Sequence, residues 1–487
     1  MEALTLRAKL ADRDRQKFFA AFLGGKMVGL AAAGVGIYTL MPSMVHALAP
    51  QADDMQTQIT NTINGLNTAW TLIAAFLVFF MQAGFMMLEA GFARTREVVN
   101  VLLECIVDTC LCALLFWAFG FAFMFGSGNG FIGHTFFFLQ GAPATYDFGG
   151  SFDTGVAFLA FFLFQYAFAD TCSTITSGAM VGRTGFVGDL LYSVGVSGFI
   201  YPIIGHWVWG PGGFLQTAHN GVWLRDFAGS TVVHTVGAMI ALAGAIVLGP
   251  RIGRKFKRDG GGLPAGHDLT IAAVGGVILW FGWYGFNPGS TLSALDAAGI
   301  GRVATNTTLA AAAGGMVAMF IVYPRIKKWD IGITINGFLG GLVAVTAPCY
   351  WISPLGAVIV GAIGGVVVVY GIDFIEWLRI DDPIGAVAVH GFCGIWGTWA
   401  VGLFATGDFA DFKGLFYGGG TKQLFAQVWG NGLVVIVTLV VSFLMFWAVK
   451  ATRTLRVSEE GELEGIDFHE HGSSAYHPES AFMGRGA

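Results

Sequence analysis

Long apolar runs separated by short polar breaks dominate the chain. Runs of about 20 residues, enough to cross a bilayer as helix, recur near 27–49, 66–92, 98–125, 154–181, 187–209, 227–249, 268–288, 303–323, 331–347, 354–377, 385–405 and 424–449. The first differs in kind. Six Lys and Arg fall within residues 1–26, and the run closes on Ala47-Leu48-Ala49, the basic, apolar, A-x-A layout of a secretory signal peptide. Pro50 follows that cut directly, so residues 1–49 read either as a signal peptide or as an extra N-terminal helix. The remainder predicts an all-α polytopic membrane protein, with an eleven-helix domain over 50–450 and a polar tail over 451–487.

Composition agrees with the pattern. Of 487 residues, 55% are hydrophobic and 12% charged, about half the charged fraction of a soluble globule. The 72 glycines suit membrane helices whose backbones approach closely. A net charge of −5, with the basic residues spread over loops, gives no nucleic-acid footprint. All six cysteines lie in or beside apolar runs with no CxxC, and read as small buried hydrophobes. No metal or cofactor is expected. Gly126-Ser-Gly128-Asn-Gly130 resembles a nucleotide loop in letters alone, since no strand precedes it. Charge sets the orientation. With the mature N-terminus outside, the inner loops carry fifteen Lys and Arg, from Arg94 to Arg456, and the outer loops four: Arg225, Arg302, Lys413 and Lys422. The positive-inside rule therefore places the C-terminus in the cytoplasm.

Two ionisable residues stand inside these runs in matching frames. One block reads Asp226-Phe-Ala-Gly-Ser-Thr-Val-Val-His234, the other Asp382-Pro-Ile-Gly-Ala-Val-Ala-Val-His390. An ionisable side chain at membrane depth usually marks a functional path. Eight helical residues put each histidine about 12 Å deep, His234 from outside and His390 from inside. In a core about 30 Å thick the two nearly meet. Spans 66–249 and 268–405 then form inverted five-helix repeats, with 424–449 as an extra helix and a site at the midplane. Unrelated helix-packing histidines are the alternative. The same counting gathers Phe168, Trp209, Phe286 and Ser290 toward the outside, above the histidines. There the aromatic faces could attract a cation or serve only as an interfacial belt.

These blocks, together with Gly282-Trp-Tyr-Gly-Phe-Asn-Pro-Gly-Ser290 and Asp381-Asp-Pro-Ile-Gly-Ala-Val-Ala-Val-His-Gly391, resemble the ammonium transporter (Amt/Rh) family, on the Amt side. The resemblance runs from about Asn67 to Tyr476. It implies a homotrimer in the cell (inner) membrane, each subunit with its own narrow pore and no enzymatic activity. Trp209, Phe168, Phe286 and Ser290 match the family's outer recruitment site and phenylalanine gate, and Phe164 a further outer aromatic. His234 and His390 match its twin-histidine pore. Asp226 matches its acidic residue beside the entrance, here read as structural and electrostatic. The tail is then expected to pack on a neighbouring subunit, with a cytoplasmic PII signal protein as partner.

The chain departs from the family at Gly182-Arg183, where members usually carry Glu-Arg. Glu104, Asp108 and Asp170 also lie inside spans that hold no Lys or Arg. They read as a hydrogen-bonded structural cluster or as a proton or water path, because an isolated carboxylate is too costly there. Two rival functions remain: an ammonium sensor with little flux, and a membrane cytochrome whose two deep histidines ligate haem.

Overall fold

The computed structural model describes residues 55–148, 153–216 and 222–476; the segment 1–49 lies outside them. The chain divides into two units, Met1–Thr62 and Ile63–Ala487. The described part of the first is the opening of one helix, and the second holds all the other elements.

Among the described residues eleven apolar helices succeed one another: α1 (Met55–Phe92), α2 (Val98–Phe125), α3 (Phe158–Gly178), α4 (Phe186–Trp209), α5 (Ser230–Leu248), α6 (Leu269–Gly289), α7 (Ala297–Ile326), α8 (Ile331–Thr346), α9 (Pro354–Trp377), α10 (Val387–Phe404) and α11 (Lys422–Ala451). Ten are long and apolar enough to cross a membrane, and α8 is shorter. Leu114, Phe281 and Ile436 stand exposed on their outer faces, as lipid-facing residues should. Between α2 and α3, β1 (Thr145–Asp147) pairs antiparallel with β2 (Asp153–Ala157). Two short helices, α12 (Glu459–Glu464) and α13 (Ile466–His471), end the described chain. Of the six cysteines, five are buried and Cys110 is exposed; all are unpaired.

Local chemistry explains where the helices begin. Asp268, Asp296, Asp330 and Ser353 each accept from backbone N–H groups of the first turn of α6, α7, α8 and α9, satisfying donors that would otherwise be orphaned. The interior is set by small residues. A Cβ at Gly341 of α8 would collide with the Ala310 carbonyl of α7, and one at Gly365 of α9 with the Gly314 carbonyl. These three helices can therefore touch backbone to backbone.

The helices α5 and α10 start differently from the rest. Each opens with a π-helical turn, Ser230–Thr235 and Val387–Phe392, and each turn comes after a glycine of positive φ, Gly229 at 117° and Gly385 at 80°. The sequence-based depth assumed eight helical residues from aspartate to histidine. Only His234 and His390 and the four residues before each belong to helix. The intervening residues form a turn.

A charged knot closes the opposite end of α3 from the strand pair. Arg183 is fully buried and donates to the carbonyls of Gly249, Ala179 and Asp381. Asp381 accepts from Arg251 Nε at 2.7 Å and Arg254 Nε at 3.1 Å. Burial pushes the Asp381 carboxyl up, but Arg183 and Arg251 outweigh it and hold the group down at about 2. Burial lowers Arg183 to about 10. The tail lies along this same end of the fold. Val457 N–H donates to the Arg183 carbonyl, Ile252 N–H to Glu462, and Val99 and Asn100 N–H to Asp467. Asp467 thus caps α2, while Glu97, the residue before that helix, makes no side-chain capping bond. The described tail residues find these partners within the chain.

Candidate functional site

The aspartate of each D-x-x-G-x-x-x-V-H block caps its helix. Asp226 accepts from the N–H groups of Gly229, Ser230, Thr231 and Val232 at 2.8–3.0 Å. Asp382 accepts from Gly385, Ala386 and Val387 at 2.8–3.1 Å. Such charge-assisted bonds complement the positive end of a helix dipole. Further bonds pin the start of α5: Ser230 Oγ donates to the Val343 carbonyl of α8, and Asn431 of α11 donates to Thr231.

These starts aim two imidazoles at each other. Nδ1 of His234 and Nδ1 of His390 are 3.1 Å apart, so one ring donates and the other accepts. Their centroids are 5.2 Å apart and the planes 24° from parallel. His234 is fully buried, and its Nε2 has no partner. The two rings share a hydrogen bond and do not face each other across the gap that a porphyrin would need.

An aromatic column continues from the pair in both directions. His234 stacks on Trp283 and on Phe286, at 5.2 and 5.4 Å between centroids. Phe286 stacks on Phe168 at 4.0 Å, and Phe168 meets the edge of Trp209 at 6.1 Å. Beyond His390, Phe85 lies 6.5 Å away. At the Trp209 end opens a cavity of about 610 Å3, lined by Trp209, Phe168, Phe164, Ser290 and Asp226 among others. At the His390 end the space shrinks to about 20 Å3, with Glu89 and Phe85 in its wall.

The structure therefore brings Trp209, Phe168, Phe164, Ser290 and Asp226 to one cavity and His234 and His390 into contact. Phe286 does not line that cavity; it is wholly buried, wedged between Phe168 and His234. The Ser290 hydroxyl donates to the Phe286 carbonyl at 2.8 Å, which leaves its oxygen free to accept. Trp209 Nε1 donates to the Asp226 carbonyl, so the indole is fixed. Sequence reasoning passed over Trp283, Gln165 and Arg225, the last two in the cavity wall, and Glu89 at the far end. Trp283 was within reach, since it lies three residues before Phe286, one helical turn away. Glu89 sits on a separate helix and gave no signal.

Comparison with known proteins decides the class. The profile of the Ammonium Transporter Family matches residues 69–476. The chain belongs to the ammonium transporter family. It is 41% identical to ammonium transporter Amt2 of Archaeoglobus fulgidus, over 92% of this chain and 96% of that one. It is 36% identical to ammonium transporter 1 member 3 of Solanum lycopersicum, over 86% and 94%. Among solved structures, one named Sensor Amt Protein superposes with a TM-score of 0.77 at 36% identity, covering 84% of this chain and 99% of that one. Candida albicans Mep2 gives 0.74 at 25% identity, over 84% and 92%. Family members of this kind are transporters, not enzymes.

Within the family, the departure at Gly182 has a structural counterpart. Gly182 has φ of 80°, and a Cβ there would collide with the carboxylate of Glu97. Glu97 is itself buried and paired with Arg94. A carboxylate from the start of α2 thus stands against Gly182, at the end of α3.

Proposed function

We propose that the protein recruits ammonium ion in the large cavity, deprotonates it, and conducts ammonia through the twin-histidine constriction while the proton is relayed. The observation that carries this is the 3.1 Å Nδ1–Nδ1 contact beneath the Phe168–Phe286 stack. Trp209, Phe168 and Phe164 offer aromatic faces to a cation, and Ser290 offers a hydroxyl acceptor. Potassium matches ammonium in size, so attraction alone cannot separate them. Ammonium donates directional hydrogen bonds and can shed its proton; potassium can do neither. A dry, aromatic constriction penalises the ion that must stay charged. Neutral imidazoles can then pass hydrogen bonds and protons along. Asp226 holds the entrance turn and supplies negative potential, without being a direct ligand.

The accompanying architecture is part of the proposal. α8 serves as a short eleventh span, the two capped blocks mark inverted five-helix repeats, and a signal peptide is removed near Ala49. The subunits form homotrimers in the cell membrane, N-terminus outside and tail cytoplasmic, where a PII signal protein is the expected partner. One further reading has an observation behind it. A similar structure is named as a sensor, and this chain could bind ammonium with little flux. Current measured in proteoliposomes after an ammonium pulse separates the two. A transient current that His234→Ala and His390→Ala each abolish supports transport; intact binding without current supports the sensor. Normal ammonium-selective current in both alanine variants would end the relay reading.

A further inference from the structure

Five carboxyl groups occupy the interior beside the pore and are unused by that mechanism. Glu89 comes from α1, Glu104 and Asp108 from α2, Asp170 from α3 and Asp189 from α4, and all are buried. They interact with one another: Glu104 with Asp189, Asp108 and Glu89, and Asp108 with Asp189 and Asp170. Among the described residues no His, Cys, Asp and Glu group is arranged to hold a metal. Nor, among the described residues, does a cation reach the cluster. Arg94 pairs with Glu97, and Arg96 donates to the Leu463 carbonyl of the tail.

Three observations separate this cluster from a structural polar patch. First, it opens onto the pore: Glu89 shares with His390 the wall of the small inner cavity. Secondly, it carries unused hydrogen-bonding capacity. Asp108 has Ser193 as its hydrogen-bonding neighbour and Asp170 has Thr109 and Gln82, but neither carboxyl makes a well-formed hydrogen bond with them. A cluster built only for stability would satisfy these groups. Water or a mobile proton would satisfy them instead. Thirdly, the end nearest the tail is latched. His471 Nε2 lies 2.9 Å from Asn100 Oδ1, and Asn100 Nδ2 donates to Glu104 Oε1 at 2.8 Å.

We propose that Glu89, Glu104, Asp108, Asp170 and Asp189 form a proton-holding side branch of the pore, entered from the inner cavity at Glu89 and latched at its tail end by His471 through Asn100. The proposal rests on the transport reading above and adds the place where a released proton is stored and exchanged. Five clustered carboxylates without a cation cannot all be ionised in a low-dielectric interior. Some hold protons, and each transfer moves one proton from a carboxyl O–H to a neighbouring carboxylate or water. The other titratable groups facing the branch are Cys105 and Cys112 of α2, Tyr166 of α3 and Tyr192 of α4, whose hydroxyl donates to Asp189. Asp467 and His471 face it from α13.

The test uses the full-length protein with two near-isosteric variants, Asp108→Asn and Glu89→Gln, in proteoliposomes. Infrared difference spectra after transfer to D2O should show protonated-carboxyl bands that exchange, and Asp108→Asn should remove one of them. Ammonium-evoked current should fall several-fold in both variants and lose part of its pH dependence, with KM and oligomeric state unchanged. The infrared arm does not depend on transport. Exchangeable bands in a wild-type protein that carries no current would sink the transport reading and leave the branch standing. Wild-type current and pH profile in both variants, with no exchangeable band lost, would overturn the branch.

Discussion

Replacing each capping aspartate by asparagine compares the two turns that carry the histidines. In Asp226→Asn one oxygen still accepts from two N–H groups, but the new amide NH2 faces the other two. In Asp382→Asn the oxygen keeps Gly385 and Ala386, and the NH2 opposes Val387 alone, because the carboxylate accepts two bonds on Oδ1 and one on Oδ2. A buried donor left unsatisfied costs about 1–3 kcal/mol. Asp226→Asn should therefore destabilise by about 2–6 kcal/mol and Asp382→Asn by about half that. Both substitutions loosen a π-helical turn that carries a histidine, so both should also reduce ammonium-evoked current, Asp226→Asn the more. Thermal unfolding of the purified protein in detergent gives the first quantity and proteoliposome currents the second. Equal losses at the two sites, or none at either, would refute the capping argument and leave the aspartates with an electrostatic role only.

Three further outcomes are expected. Trp209→Leu removes the aromatic face at the cavity mouth while the Asp226 carbonyl loses its donor; selectivity for ammonium over other small solutes should weaken with assembly intact, and unchanged uptake kinetics would count against a cation–π role. Asp467→Ala should uncap α2 at a cost of about 1 kcal/mol and reduce transport as deletion of 457–487 does; full activity after that deletion would show that the docked tail is dispensable. Asp381 has its folded value, about 2, below its ordinary one. Its contribution of about 2 kcal/mol is therefore present above pH 4 and lost as pH falls through 2, so the thermal gap between wild type and Asp381→Asn should narrow across that window, and a gap constant from pH 7 to pH 3 and below would contradict it.

The contacts readable from sequence are those decided within a few residues. Aspartate, glycine three on and histidine eight on describe one local object, a capped turn leading into helix, and its appearance twice announced a pair. The helix start itself was misplaced, because hydropathy sees an apolar run and not the positive φ at Gly229 and Gly385 that delays the helix. Similarly, α1 begins at Met55 and not near 66, since polar helix carries no hydropathy signal. Contacts between distant segments were not legible. Glu97 filling the space at Gly182, Phe286 withdrawn behind Phe168, and Glu89 beneath His390 depend on which helices lie side by side, and a single sequence does not encode that in any local spacing.

The geometry also bears on why a transporter of an ion would place a nearly closed column below a roomy cavity. The space falls from about 610 Å3 at the Trp209 end to about 20 Å3 beyond His390, and between them the rings of Phe168 and Phe286 are in contact. An ion entering that column would lose its hydration with only aromatic faces and one hydroxyl in return, a poor exchange for a charge. In the proposed mechanism the cavity concentrates ammonium and the column admits only what has given up its proton. Selectivity then resides less in the recruiting residues than in the refusal of the column to solvate charge. That separation makes the histidines' shared hydrogen bond intelligible, since a pair that is uncharged but able to donate and accept can serve ammonia without stabilising a metal ion in its place.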